Sequence, residues 1–318
     1  MLQYYPKISE VDDLRSTFIA NLVLNIFLSS TAFFFNSVTL QAIRKTSSLP
    51  KTLRTLLVSL AVSDVCVGLL GQTLYISLLV KWLRLEIINC SIYMAFDVIV
   101  GLFSIASFVG VVAVSIDRFL AIHLHLRYHE LVTYKRVVAV VISIWLLSAS
   151  LAFIVTLGFH IFFLVVSFFG GLCFVLTLTI YTKIYLAVRR HKTQIEALQV
   201  GQDAQAGETA NFASVVKSAA GTFYVYLVLL VCYVPHFVCL AVIEINGPRI
   251  ALKRLFLCSL TLAFLNSSLN PVIYCWRMRH IREALMDILR DMSGKGNRPR
   301  PFTNPRSSHT RANDDCVH

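Results

Sequence analysis

Seven stretches of this chain run for about 18 residues or more with almost no charge, the length a helix needs to cross a hydrocarbon layer. They fall at Thr17 to Ile43, Thr55 to Val80, Ile87 to Ile116, Val137 to Leu157, Phe159 to Thr182, Ser218 to Ile243 and Leu255 to Cys275. Asp64 and Asp97 are the only Asp, Glu, Lys or Arg inside them. Met1 to Ser16 mixes acidic and basic residues instead of running basic then apolar, so no cleavable leader is expected and the first span serves as its own signal. Arg189 to Phe212 reads as a flexible polar loop. "RMRHIREALMDILRDM" reads as a basic amphipathic helix lying on membrane lipid, and from Ser293 the chain becomes a Pro, Ser, Arg and Asn tail expected to be disordered.

The expected fold is an all-α membrane protein, a seven-transmembrane helix bundle with a short amphipathic eighth helix. Its parts are an extracellular N-terminus over 1–16, a seven-span bundle over 17–275, a membrane-surface helix over 276–292 and a cytoplasmic tail over 293–318. Composition agrees: of 318 residues, 57% are hydrophobic and 14% charged, against roughly 25% charged in soluble domains. A net charge of +12 would suit a nucleic-acid binder, but 22 of the 29 Lys and Arg fall on one side of the predicted topology. That is the bias that orients membrane proteins; it places the N-terminus outside, in a multi-pass protein of the cell membrane, and no nucleic-acid partner is expected.

Four short motifs carry candidate chemistry. "VSIDRFLAIHLHLRY" puts Asp117 and Arg118 where the third span meets the cytoplasm. A headgroup-level ion pair is cheaper there than at mid-bilayer, and an interfacial anchor alone would also explain it. "LAVSD" brings Asp64 into the second span, "CYVP" puts Pro235 in the sixth, and "NPVIY" closes the seventh with Asn270, Pro271 and Tyr274. Each proline frees a carbonyl that a neighbour must satisfy.

With these motifs in order on the right spans, the chain resembles rhodopsin-like (class A) G-protein-coupled receptors over its whole length. Asn36 matches the family's first-span Asn, Asp64 its second-span Asp, Asp117-Arg118-Phe119 its DRY triplet, Trp145 its fourth-span Trp, and Pro235 and Asn270-Pro271 with Tyr274 its proline motifs. The resemblance implies that Asp117 holds Arg118 at rest and that Arg118 moves toward a heterotrimeric G protein and Tyr181 on activation, with Leu126 an apolar contact to that partner. It implies an activation switch at Tyr233, Pro235, Asn270 and Pro271. It also implies that Asn36, Asp64, Ser107, Asn266, Ser267 and Asn270 converge on a water and sodium cluster, with Na⁺ as an allosteric ion and no other cofactor. An intramembrane carboxylate must be paired, metal-bound or protonated, which suits such a site. A purely structural polar network is the alternative.

The sequence departs from the family pattern at Phe119 in the triplet, at Tyr233 for the usual sixth-span Trp, at Leu229 one turn below it, and at Cys173 for the fifth-span proline. Val215 stands where an acidic partner of Arg118 would be, so no lock between those spans is expected and basal activity is permitted. Of eight cysteines, Cys90 lies near the outer end of the third span; the loop after the fourth span shrinks to a few residues around Gly158 and holds no cysteine to pair with it.

The short loop, the missing proline and "LRYHELVTYKR" are similar to melanocortin receptors, with adenosine receptors nearby. Their ligand residues do not carry over. Of the melanocortin acidic set only Asp97 is matched; Val100 stands at the amine-receptor Asp and Leu240 at the adenosine-contacting Asn. Asp97, Val100 and His236 are the candidate ligand contacts, Asp97 anchoring either a cationic ligand or a salt bridge from Lys81 or Arg84. Ser293, Thr303, Ser307, Ser308 and Thr310 are candidate sites for a receptor kinase and arrestin. A secondary transporter would show repeats and paired broken helices, and a zinc hydrolase needs about three converging ligands where only His160 and His236 lie in spans. Neither signature is present, so a ligand-activated receptor, not an enzyme, is expected.

Overall fold

The computed structural model describes residues 5–46, 49–124, 127–197, 206–277 and 279–292, and every regular element among them is helical. In chain order these are α1 (Val11–Lys45), α2 (Lys51–Cys66), α3 (Gln72–Leu83), α4 (Cys90–Leu124), α5 (Tyr128–Leu131), α6 (Tyr134–Phe153), α7 (Phe159–Ala197), α8 (Ala206–Asn246), α9 (Ile250–Arg277) and α10 (Arg279–Met292). Seven helical units are long and apolar enough to cross a membrane, α2 and α3 together making the second. Leu126, the tail residues from Ser293 onward and the side chain of Val215 lie outside the described residues.

The helices overrun the apolar stretches because polar flanks continue the helix once the apolar core has fixed its axis. Helix α1 starts at Val11 instead of Thr17, after a single 3₁₀ turn at Ile8–Glu10, so part of the expected N-terminal segment belongs to the first span. Helix α9 starts at Ile250 instead of Leu255, which brings Lys253 into the bundle. There Lys253 is 1% exposed and its Nζ donates to Glu10 Oε2 at 2.6 Å. Burying either charge alone would be costly, so the two hold the start of α1 against the start of α9. The eighth helix runs over Arg279–Met292, with Ile281 and Ile288 buried in the lower core.

A π-turn at Val67–Gly71 joins α2 to α3 and gives the second span its offset. Such a turn needs a partner for a displaced carbonyl and close backbone approach. Ser29 Oγ donates to Gly68 O at 2.8 Å, and a Cβ on Gly68 would meet Ala32 Cβ at 3.0 Å. Between the fourth and fifth spans only Leu157 and Gly158 intervene after the 3₁₀ turn, with Gly158 at φ +151°, where a side chain would be strained.

Two apolar cores fill the bundle. One, toward the N-terminus, is built around Phe18, Tyr75, Trp82, Phe96, Phe256 and Phe264. The other, toward α10, is built around Leu57, Leu60, Val111, Val114, Tyr226 and Tyr274. A layer of polar residues, each 0–1% exposed, belongs to neither: Asn36, Asp64, Ser107, Asn266, Ser267 and Asn270. A polar seam also joins α1 to α9: Asn25 Nδ2 donates to Thr261 Oγ1 at 2.8 Å, Thr261 Oγ1 donates to Asn21 Oδ1, and Gln72 Nε2 reaches Asn25 Oδ1 at 3.3 Å. Side chains such as Phe27, Leu146 and Phe168 face outward, as contact with lipid tails allows.

Replacing Gly68 with Leu is expected to destabilise the bundle by about 1–3 kcal/mol, because the π-turn cannot open without losing the Ser29 bond. Thermal unfolding of the purified protein checks this; an unchanged midpoint would contradict it.

Candidate functional site

Three groups of sequence-selected residues come together at three depths. At the basic end, Arg118 and Asp117 are 3% and 4% exposed although they close a span. Arg118 Nε donates to Asp117 Oδ2 at 3.0 Å, and Nη2 donates to the same oxygen. Tyr128 Oη donates to Asp117 Oδ1 at 2.7 Å, and Thr52 Oγ1 is 3.1 Å from that hydroxyl. The sequence reading missed Tyr128 and Thr52; Tyr128 stood unweighed at the end of the same motif. A carboxylate bonded on both oxygens is held in one orientation, so Arg118 is held too. Burial, then the Asp117 charge, pushes the Tyr128 hydroxyl up to about 12. Its proton is thus held more tightly than in the unfolded chain, where the value is about 10. The stabilisation is complete below about pH 10 and lost as pH rises through about 12, so Tyr128 stays a donor at neutral pH.

Tyr181 is brought to this end but bonds Ser115, Oη to Oγ 2.9 Å, and packs on Phe223 and Tyr226. Phe119 stacks on His123 at 5.2 Å. Tyr274 is 3% exposed, lines a small apolar gap with Leu57, Leu60, Val111, Val114 and Val225, and its hydroxyl has no partner among the described residues. A buried phenol without a partner is unfavourable where it stands.

At mid-depth, Ser107 Oγ donates to Asp64 Oδ1 at 3.2 Å and Asn270 Nδ2 donates to Asp64 Oδ2 at 2.7 Å. Asn36 Nδ2 donates to Ser267 O and Ala32 O, both at 2.8 Å. Several buried polar atoms of this layer have no partner among the described residues: Asn36 Oδ1, both amide atoms of Asn266, and Asn270 Oδ1. Natural interiors leave few such atoms, and a cluster of them beside a carboxylate fits waters or a small cation. Trp145 lies apart from the layer and donates to Ser59 Oγ at 3.0 Å.

In the N-terminal half a cavity of about 190 Å³ is lined by Asp97, Val100, Ser104, Tyr233, His236 and Phe264 among mostly apolar side chains. The three candidate ligand contacts are therefore brought together. His236 Nδ1 lies 3.1 Å from Ser259 Oγ, and Tyr233 and Ser104 both line the cavity. Asp97 requires a correction: its described partner is neither Lys81 nor Arg84 but Tyr5, whose hydroxyl donates to Asp97 Oδ1. Arg84 instead makes a loose exposed pair with Glu86 at 3.9 Å. The sequence reading did not weigh Tyr5; the pair Tyr4-Tyr5 before Pro6 was the signal that could have found it. Pro235 lies within α8 and faces outward, Pro271 lies within α9, and the seven described cysteines, Cys90 among them, are free.

The profile of the 7 transmembrane receptor (rhodopsin family) matches residues 35–159 and 155–274. The chain belongs to the rhodopsin family of seven-transmembrane receptors. It is 26% identical to melanocortin receptor 5 of Homo sapiens over 61% of this chain and 59% of that protein. It is 24% identical to adenosine receptor A2b of Gallus gallus over 88% and 90%, and 30% identical to a D(2)-like dopamine receptor of Takifugu rubripes over 51% and 38%. The match thus spans 59% of melanocortin receptor 5 but 90% of the adenosine receptor. Membership places this multi-pass membrane protein in a family of receptors, and no comparison supports the transporter or zinc-hydrolase alternatives. No group of three His, Cys, Asp or Glu able to hold a metal occurs among the described residues.

Tyr128→Phe is expected to cost about 1–3 kcal/mol, since it leaves Asp117 Oδ1 buried without its donor. Denaturation of the purified receptor reads this; a loss below a few tenths of a kcal/mol would show that the tyrosine does not hold the ion pair.

Proposed function

We propose that this receptor sits in the cell membrane with its N-terminus outside and transmits the binding of a ligand to a heterotrimeric G protein. The observation that carries the reading is Arg118: a guanidinium at the basic end, held by an Asp that is itself fixed by Tyr128. Held there it is not available to a partner; released, it offers a fork of donors to carbonyls at a helix C-terminus. Leu126 is the apolar contact beside it. Tyr181 and Tyr274 are the groups that meet the released Arg118, since an unpartnered Tyr274 hydroxyl gains a partner by moving.

The ligand site in this reading is the cavity with Asp97, Val100 and His236, where one carboxylate oxygen is left to anchor a cationic group. Tyr233, Pro235, Asn270 and Pro271 form the switch between that cavity and Arg118. Asn36, Asp64, Ser107, Asn266, Ser267 and Asn270 hold water and Na⁺ at rest; the ion would supply the positive charge that Asp64 lacks, and the unpartnered oxygens of Asn36, Asn266 and Asn270 support its fit. The α10 helix rests on membrane lipid. Phosphorylation of the tail at Ser293, Thr303, Ser307, Ser308 or Thr310 by a receptor kinase would recruit arrestin.

Arg118→Ala is expected to abolish nucleotide exchange on purified G protein while surface expression persists; exchange at the parent rate would overturn the assignment. Asp64→Asn keeps the shape of the layer but removes its charge, so Na⁺ should shift the thermal midpoint of the parent and not of the variant. Equal shifts, or none in either, would make the layer structural only.

A further inference from the structure

A polar contact outside the cavity, the mid-depth layer and the Arg118 cluster lies at the end of the bundle that carries the N-terminus. His160, the second residue of α7, and Glu244, in the last turn of α8, face each other across the fifth and sixth spans, Nδ1 to Oε2 3.3 Å. The connection into α7, Leu157 and Gly158, is too short to cover the pair, and the imidazole is 66% exposed. The Glu244 side chain is only 19% exposed, and among the described residues no Lys or Arg pairs with it.

As an ion pair this contact is poor. A charge-assisted N–H···O bond runs at about 2.7–2.9 Å, so at 3.3 Å a carboxylate largely withdrawn from water has one loose partner. As a pair of metal ligands it is good. Bonds of about 2.0–2.2 Å from a tetrahedral Zn²⁺ to an imidazole nitrogen and a carboxylate oxygen set the two donor atoms about 3.3 Å apart. The two side chains therefore already stand at the separation the ion needs. No third His, Cys, Asp or Glu joins them among the described residues, and His236, the other histidine within the spans, lies against Ser259. The remaining positions fall to water at the exposed imidazole. One nitrogen with one carboxylate suits Zn²⁺ better than Mg²⁺ or Ca²⁺, which take oxygen ligands.

We propose that His160 and Glu244 bind Zn²⁺ from the water on the N-terminal side, and that the ion ties the end of the fifth span to that of the sixth. The fifth span has little else to hold it: 6% of its apolar stretch is buried, against 72% in the seventh. Lower down, the bond from Tyr226 Oη to Phe174 O that links the same two helices is long, at 3.4 Å. An ion that fits the separation seen here favours the arrangement seen here, in which Arg118 is bound to Asp117. Zn²⁺ is thus a brake on signalling, a consequence that rests on the function proposed above; the binding itself does not.

Thermal unfolding of the full-length receptor in phosphatidylcholine nanodiscs, titrated with Zn²⁺, tests the site. Zn²⁺ should raise the midpoint of the parent, as an ion that binds the folded state does, and Mg²⁺ at the same concentrations should not. His160→Ala and Glu244→Gln should each raise the half-saturating Zn²⁺ concentration about tenfold or more, since loss of a bond that only supports a ligand already costs about 10–100-fold. Glu244→His removes the carboxylate but keeps a ligand, so it should retain the shift that Glu244→Gln loses; neither an ion pair nor misfolding gives that result. His123→Ala, at the opposite end of the bundle, should titrate like the parent. No shift in the parent, a shift that survives both His160→Ala and Glu244→Gln, or a Glu244→His variant that titrates like Glu244→Gln overturns the site. In the same nanodiscs Zn²⁺ should lower nucleotide exchange on purified G protein severalfold in the parent and not in His160→Ala. An unchanged rate overturns the brake, and absence of any exchange overturns the receptor reading and the brake together; the midpoint shift judges the site apart from both.

Discussion

A carboxyl group fully enclosed at mid-bilayer depth is the constraint around which this molecule is organised. Asp64 is 0% exposed, and desolvating its charge would cost several kcal/mol without partners. Ser107 on α4 and Asn270 on α9 supply two donors, so the second, third and seventh spans must stay in register for Asp64 to be tolerated. Asn36 extends the arrangement to the first span through the Ser267 carbonyl. Lipid tails cannot drive helices together as water drives a soluble core, and polar bonds of this kind do a share of that work.

The layer is also the least satisfied part of the interior. Its unpartnered atoms lie between two packed apolar cores, and Tyr274 adds a lone hydroxyl just below. A region with more polar atoms than partners has other arrangements close in energy, which is what a two-state element requires. The cavity lies on one side of it, with Ser104, one helical turn from Ser107, in its lining. Arg118, bound to Asp117 and Tyr128, is the group on the other side whose release would report a rearrangement. In the proposed function, a ligand at Asp97 and the ion pair at Arg118 would act on one shared equilibrium.

Much of the fold was legible because hydropathy is a strong signal in a bilayer: all seven spans and the amphipathic eighth helix could be read from residue pattern, whereas the stretch expected as a loop over Arg189 to Phe212 is helical up to Ala197 and again from Ala206. Helix ends could not, since Val11 and Ile250 begin helices in polar sequence that hydropathy ignores. Asp64 with Asn270, and Asp117 with Arg118, were legible as motifs whose order along the chain matched a family. Tyr128 and Tyr5 were not. Tyr5 acts through a contact 92 positions away, at Asp97, and Tyr128 through Asp117, 11 positions back; no helical periodicity encodes either pairing. Lys253 gave no signal, because its partner, Glu10, lies 243 positions away in the chain. The π-turn at Val67–Gly71 left only two glycines as a trace in the sequence.

The central claim is that the Asp64–Asn270 contact is one interacting unit on which signalling depends. Nucleotide exchange on purified G protein, measured for the parent, Asp64→Asn, Asn270→Asp and the exchanged pair Asp64→Asn with Asn270→Asp, tests it most directly. The account predicts that each single change sharply reduces exchange, the first by removing the charge and the second by setting two carboxyls against each other, and that the exchanged pair recovers most of it. Single variants that signal like the parent, or an exchanged pair no better than the worse single change, would contradict it.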